Sequence, residues 1–211
     1  KNRFVLSKGH GVLPYYAALF HKGYIDKNHI QNFEKTGGIL FGHPVRNVNY
    51  GIDYSTGSLG MGIGLAVGIS IAFKRKGLKN KTYCIIGDGE CNEGSVWEAS
   101  MSACHNELDN LTVILDNNSL QQTGSNIEIS KPNLLTKKWE SFGFETIEID
   151  GHNIEEISEA LNYNVNNKPK IIVAKTIKGK GFSFAENNND WHHKIMTKNK
   201  FEEAMEEINN K

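Results

Sequence analysis

The chain has 211 residues, and its 24 basic and 24 acidic side chains balance. That length suits one domain with a core of its own, and the even charge leaves no basic surplus for nucleic acid or an anionic membrane. No apolar run approaches the roughly 20 residues a membrane helix needs. The three cysteines, Cys84, Cys91 and Cys104, lack a Cys-x-x-Cys spacing, which argues against a disulfide framework or zinc site and fits a reducing cytosol. The expected location is cytoplasmic. Lys1 is not an initiator methionine, so the chain is expected to be incomplete at its N-terminus.

In chain order, residues 4–11 (FVLSKGHG) form a short apolar start that runs into a glycine-flanked histidine, His10. Residues 13–21 read as a helix, with Tyr16, Ala17, Leu19 and Phe20 available for packing. Residues 24–36 are polar with scattered apolar positions, as in a surface helix begun at Asp26. Residues 37–54 are loop-like and contain Gly42-His43-Pro44, where the proline pushes His43 out of the helical region. A second glycine-rich loop follows at 56–64 (TGSLGMGIG). It lacks the Gly-Lys-Ser/Thr of a phosphate loop and follows no convincing strand. Residues 60–73 continue as an apolar helix. Gly64 and Gly68, four apart, allow close approach of another helix, inside the chain or from a partner.

Residues 82–124 carry the most information. Residues 83–86 and 111–115 are apolar at successive positions, as in parallel strands buried on both faces. Residues 95–106 between them read as a helix with Ser95 and Glu98 in a capping box. A strand, a crossover helix and a parallel strand make one right-handed unit, and ligands gather off the carboxyl ends of such strands. Those ends carry Asp88 and Asn118, a hard anionic oxygen and a neutral one, which suit magnesium or calcium. Gly87 and Gly89 flank Asp88 and let the backbone approach a phosphate. Farther on, residues 139–142 read as helix, 145–149 as an alternating strand, 154–163 as a helix and 171–174 as the last buried strand. Residues 176–181 (TIKGKG) then lie on the same rim as Asp88 and Asn118. Residues 201–208 read as a charged, solvated amphipathic tail.

GDGECNEG followed about thirty residues later by ILDNNSLQQTG resembles the thiamine diphosphate motif of the transketolase family. The resemblance implies the family's thiamine diphosphate-binding fold: one α/β domain spanning 1–211, with a mostly parallel sheet and helices on both faces. It implies a divalent ion held by Asp88, Asn118 and the backbone oxygen of Leu120, bridging the cofactor phosphates. It implies cofactor contacts from His10, Gly57, Ser58, Leu59, Gly89, Asn118 and His192. Ser58 stands where the family often has proline, and His193 where it usually has glycine. His43 matches the family histidine near the donor hydroxyls, and His192 the one that reaches both phosphates and substrate. Glu93 matches a glutamate that faces the neighbouring subunit.

The activity so implied is transfer of a two-carbon ketol unit between sugar phosphates. The family's pyrimidine-binding domain has no counterpart in this sequence. The expectation is therefore either a piece of a longer chain or one polypeptide of a split enzyme, and in the second case two copies assembling with two of a C-terminal partner. Two alternatives stay open: another split thiamine diphosphate enzyme, resembling deoxyxylulose phosphate synthase, or a non-catalytic regulatory subunit that kept the metal–phosphate site.

Overall fold

The computed structural model describes residues 1–130 and 134–210. Within them five strands, β1 (Arg3–Leu6), β2 (Thr82–Gly87), β3 (Leu111–Asn117), β4 (Glu145–Asp150) and β5 (Lys170–Lys175), form one parallel sheet in the order β1-β2-β3-β5-β4. Its register pairs Gly87 with Asp116 and Asn117 with Lys175. Segment 7–11, Asp88, Asn118 and Thr176 therefore leave the sheet along one carboxyl rim.

The helices among the described residues are α1 (Val12–His21), α2 (Lys27–Gln31), α3 (Met61–Arg75), α4 (Gly94–His105), α5 (Asn126–Ile129), α6 (Leu135–Ser141), α7 (Ile154–Asn162) and α8 (Lys198–Asn209). On one face Ile63, Ala66 and Val67 of α3, Val96, Ala99 and Ala103 of α4, and Trp139 of α6 bury Val5, Cys84, Ile86, Val113, Leu115 and Val173. On the other, α7 packs Ile157, Ala160 and Leu161 against Ile147, Ile149, Ile172 and Ala174. Each fully buried branched side chain contributes about 1.5–3 kcal/mol. That explains why the continuous apolar runs of β3 and β5 settle between the layers. The edge strand β4 alternates instead and carries Glu145 and Glu148, paired with Lys168 and Lys175 (Nζ of the latter 2.6 Å from Glu148), charges that discourage edge-to-edge pairing. A smaller cluster of Val12, Tyr16, Leu19, Ile25, Leu40 and Ile52 anchors α1 and the loops that follow it.

Several expectations needed correction. Ser95 caps nothing: Glu93 is the N-cap of α4, without a side-chain bond, and the Ser95 hydroxyl donates to the Gly60 carbonyl at 3.1 Å. In α1 only Tyr16 and Leu19 of the expected packing residues are buried, while Ala17 and Phe20 face out because the turn of α1 carries them away from its small core. The helix begun at Asp26 is one short turn, α2, and the Asp26 carboxylate does accept from the His29 N–H at 2.9 Å. Ile154 is 76 % exposed, since it opens α7 before the helix turns toward the sheet. Finally, α8 is docked. Ala204 is buried, and Glu207 accepts from the backbone and hydroxyl of Ser183 at 2.9 and 2.5 Å. Gly64 and Gly68 face open space on the outer side of α3, beside the exposed Met61 and Leu65, so within the described residues nothing uses the close approach they permit.

Candidate active site at the carboxyl edge of the sheet

Asp88 follows β2 directly and is 5 % exposed. One carboxylate oxygen accepts from the Gly89 N–H at 2.8 Å. The other accepts from the Ser119 N–H at 2.6 Å and the Asn126 amide at 2.8 Å. Burial raises its pKa, opposed by those three donors. A buried carboxylate so placed gains when a cation arrives. Asn118 directly follows β3, its side-chain oxygen accepting from the Leu120 N–H at 3.0 Å. Ser119 takes a left-handed φ of 64° to turn the chain, and Leu120 closes a small loop by bridging to Ser125. Asp88, Asn118 and Leu120 thus come together and offer only hard oxygens, a donor set suited to magnesium or calcium. Among the described residues no group of three or more His, Cys, Asp or Glu stands ready to hold a metal. An ion here would complete its shell with ligand phosphate or water.

The histidines form a second group beside the first. His10 and His192 stack with ring centroids 5.4 Å apart. Gly57 lies under His43, whose Cδ2 is 3.5 Å from where a Cβ on Gly57 would stand. His10 is exposed by surface area, yet the groups crowding its ring desolvate it, and this, followed by Lys8, His192, His43 and Lys178, lowers its pKa to about 4. Desolvation and then Lys178 also lower that of His192. Both rings are therefore neutral near pH 7 and able to donate and accept.

Two lysines that the motif reading passed over join the two groups. Lys8 pairs with Asp116, which also accepts from the Thr176 hydroxyl. Burial opposes ionisation of Asp116, but Lys8, Thr176 and Asn118 outweigh it and hold its pKa below the usual range. Lys178 meets Nδ1 of His192. An ammonium only donates, so that nitrogen accepts. Lys8 sits inside the Ser-Lys-Gly-His segment and Lys178 just past β5, positions that a closer reading of the strand ends would have flagged. Asn126 gave no signal, since its role depends on the loop that folds it back onto Asp88.

The remaining expected residues line the flank. Ser58 is exposed, Leu59 half-buried, and the Gly89 N–H is committed to Asp88. Glu93 is exposed, with its Cβ 2.8 Å from where a Cβ on Gly60 would stand. It borders the rim without touching the histidines. Gly60 needs its left-handed φ of 79° there, and that near-contact leaves no room for a side chain.

Fold and rim together define a parallel α/β domain whose strand ends collect oxygen donors, neutral imidazoles and ammonium groups over glycine backbone, a surface built for a polyanion and its cation. Known proteins point the same way. Residues 1–209 match the family model for the transketolase, thiamine diphosphate binding domain. An apulose-4-phosphate transketolase subunit from Actinobacillus succinogenes is 41% identical over 206 residues, covering 97% of this chain and 75% of that protein. A 6-deoxy-6-sulfo-D-fructose transketolase subunit from a Clostridium species is 40% identical over 210 residues, 99% of this chain and 76% of that one. The transketolase structure from Campylobacter jejuni superposes with a TM-score of 0.91 at 31% identity, covering 98% of this chain and 34% of that one. The chain belongs to the transketolase family and corresponds to its thiamine diphosphate-binding section. It spans about a third of the Campylobacter protein.

Proposed function

We propose that this chain is the cofactor-binding polypeptide of a two-chain transketolase, moving a two-carbon ketol unit from a ketose to an aldose. The observation that carries the reading is the single rim on which Asp88, Asn118 and Leu120 stand beside His10, His192 and Lys178. In this reading Asp88, the Asn118 side-chain oxygen and the Leu120 carbonyl hold magnesium or calcium. His10, Lys178, His192 and the backbone at Gly57 face the diphosphate, with Ser58, Leu59 and Gly89 alongside. Thiamine diphosphate, when bound, would supply the nucleophilic carbon that ketol transfer needs. His43, over Gly57, and neutral His192 handle the hydroxyl protons of the donor. Glu93 is exposed beside the rim, and on that side we place the second chain with its pyrimidine-binding domain, two copies of each chain making the active assembly. Glu93 is free of a capping bond and so available to that contact.

The relatives that share the two-chain form are named for different sugars, so the proposal stops at a ketose donor and an aldose acceptor. No helix among the described residues is long and apolar enough to cross a membrane, and a cytoplasmic site of action is part of the proposal. Purification of the native protein tests it: a second polypeptide and thiamine diphosphate are expected to co-purify, and a homogeneous chain that binds neither would refute it.

A further inference from the structure

Glu90 sits on the short turn after Asp88 and is 2 % exposed, a charged side chain inside the fold. Such a group persists only if its oxygens are satisfied. One oxygen accepts from the Ser7 hydroxyl and from the Gly60 N–H at 2.7 Å, and the other from the Gly87 N–H at 3.1 Å. These donors come from three separate segments. Ser7 begins the segment that carries Lys8 and His10. Gly60 ends the loop that carries Gly57 and precedes α3. Gly87 is the residue before Asp88. The same segments press together without room for side chains. A Cβ on Gly9 would lie 2.9 Å from the Thr56 carbonyl, and one on Gly62 would lie 2.6 Å from the Ser7 Cα.

We propose that Glu90 is a positioning residue for cofactor binding, one carboxylate that sets the spacing of the three loops forming the diphosphate cradle. The inference rests on the functional reading above and adds a residue to it. Glu90 is buried, and its carboxylate is committed to Ser7, Gly60 and Gly87. It acts through where it holds His10, Gly57 and Asp88. An amide in its place keeps one acceptor oxygen. That oxygen satisfies most donors on the side of Ser7 and Gly60, which leaves the amide NH2 against the Gly87 N–H, two donors face to face.

The test is Glu90→Gln, with Ser7→Ala as a milder partner. The protein is purified with any chain that accompanies it and titrated with magnesium and thiamine diphosphate, and hydrogen exchange is followed at the Gly60 and Gly87 amides without cofactor. In Glu90→Gln the Gly87 amide should exchange faster than in wild type while Gly60 changes less, and cofactor affinity of the folded protein should fall about tenfold or more, the scale of one lost bond to a charged group. Ser7→Ala should weaken binding by a smaller factor and leave Gly87 exchange as it was. A purely structural Glu90 would lower the melting temperature and leave the dissociation constant alone, and that result overturns the proposal. Should Glu90→Gln fail to fold, Ser7→Ala decides: wild-type affinity in that variant overturns it. If wild type itself binds no cofactor, the functional reading fails, a result distinct from either.

Discussion

Replacing Asp88 by alanine separates the fold from the site. The carboxylate accepts three hydrogen bonds, so its loss strands the donors of Gly89, Ser119 and Asn126. Against that, removal of a buried charge relieves a desolvation cost large enough to raise the pKa of Asp88 despite those donors. The two effects oppose each other, and the space the carboxylate would vacate is lined by donors that a water can meet. The ligand-free variant should therefore melt near the wild type, within about 1–2 kcal/mol of it. Ligand linkage behaves differently. At one hundred times its dissociation constant a ligand adds about 2.7 kcal/mol. For a domain of this size each kcal/mol shifts the melting temperature by about 2–4 °C. Wild type with magnesium and thiamine diphosphate should thus gain about 5–11 °C, and Asp88→Ala almost nothing, because the variant lacks the one anionic ligand in the set proposed for the cation that the diphosphate would share. Differential scanning fluorimetry with magnesium and cofactor, each alone and together, reads the difference. An undiminished shift in the variant would remove Asp88 from the site.

Other outcomes follow from the same geometry. His43→Ala should reduce turnover of ketose a hundredfold or more, the usual scale for one acid–base group, while cofactor affinity by titration changes little; an equal fall in both would show that His43 serves the cofactor instead. His10 is held at about 4 in the folded chain against about 6.5 unfolded. The unfolded chain therefore binds the extra proton first, and stability should decline as pH falls from about 6.5 toward 4. Urea melts across that range should show the decline, reduced in His10→Gln; an identical slope in the variant would contradict the assignment. Gly64→Ala and Gly68→Ala should each stabilise the isolated chain by about 0.5–1 kcal/mol, since the positions are helical and open. In the assembled enzyme they should weaken association with the second chain, and unchanged association by ultracentrifugation would leave that face of α3 as plain solvent surface.

Much of this fold was legible because its signals are local. Continuous apolar runs marked β2, β3 and β5, alternation marked the edge strand β4, and the turn residues after β2 and β3 placed Asp88 and Asn118 on one rim. What escaped depends on distant segments. Nothing near Glu90 announces that it meets Ser7, 83 residues away, and nothing near Lys8 names Asp116, 108 residues on. Ser95 had the spacing of a capping box but found the Gly60 carbonyl closer at hand, a tertiary contact winning over a local one. The C-terminal helix read as a solvated tail because its polar surface dominates. Its docking rests on Ala204, the Glu207–Ser183 bonds and Lys200 placed 4.6 Å over the Phe184 ring. The ring it covers lies in the segment that leads to His192, so the tail supports the site. Asp88, His10, His43 and His192 could be named from motif resemblance. Asn126, and the partners that Lys8 and Lys178 find, needed the fold.

Ketol transfer by reconstitution tests the central claim most directly. The purified chain, with magnesium and thiamine diphosphate, is assayed alone and after mixing with the second chain isolated alongside it. The account predicts no transfer from this polypeptide alone, transfer on mixing, and a strong loss when the mixed sample carries Glu93→Gln. Full activity from this chain by itself would contradict the two-chain site, and an unaffected Glu93→Gln complex would return Glu93 to the solvated surface.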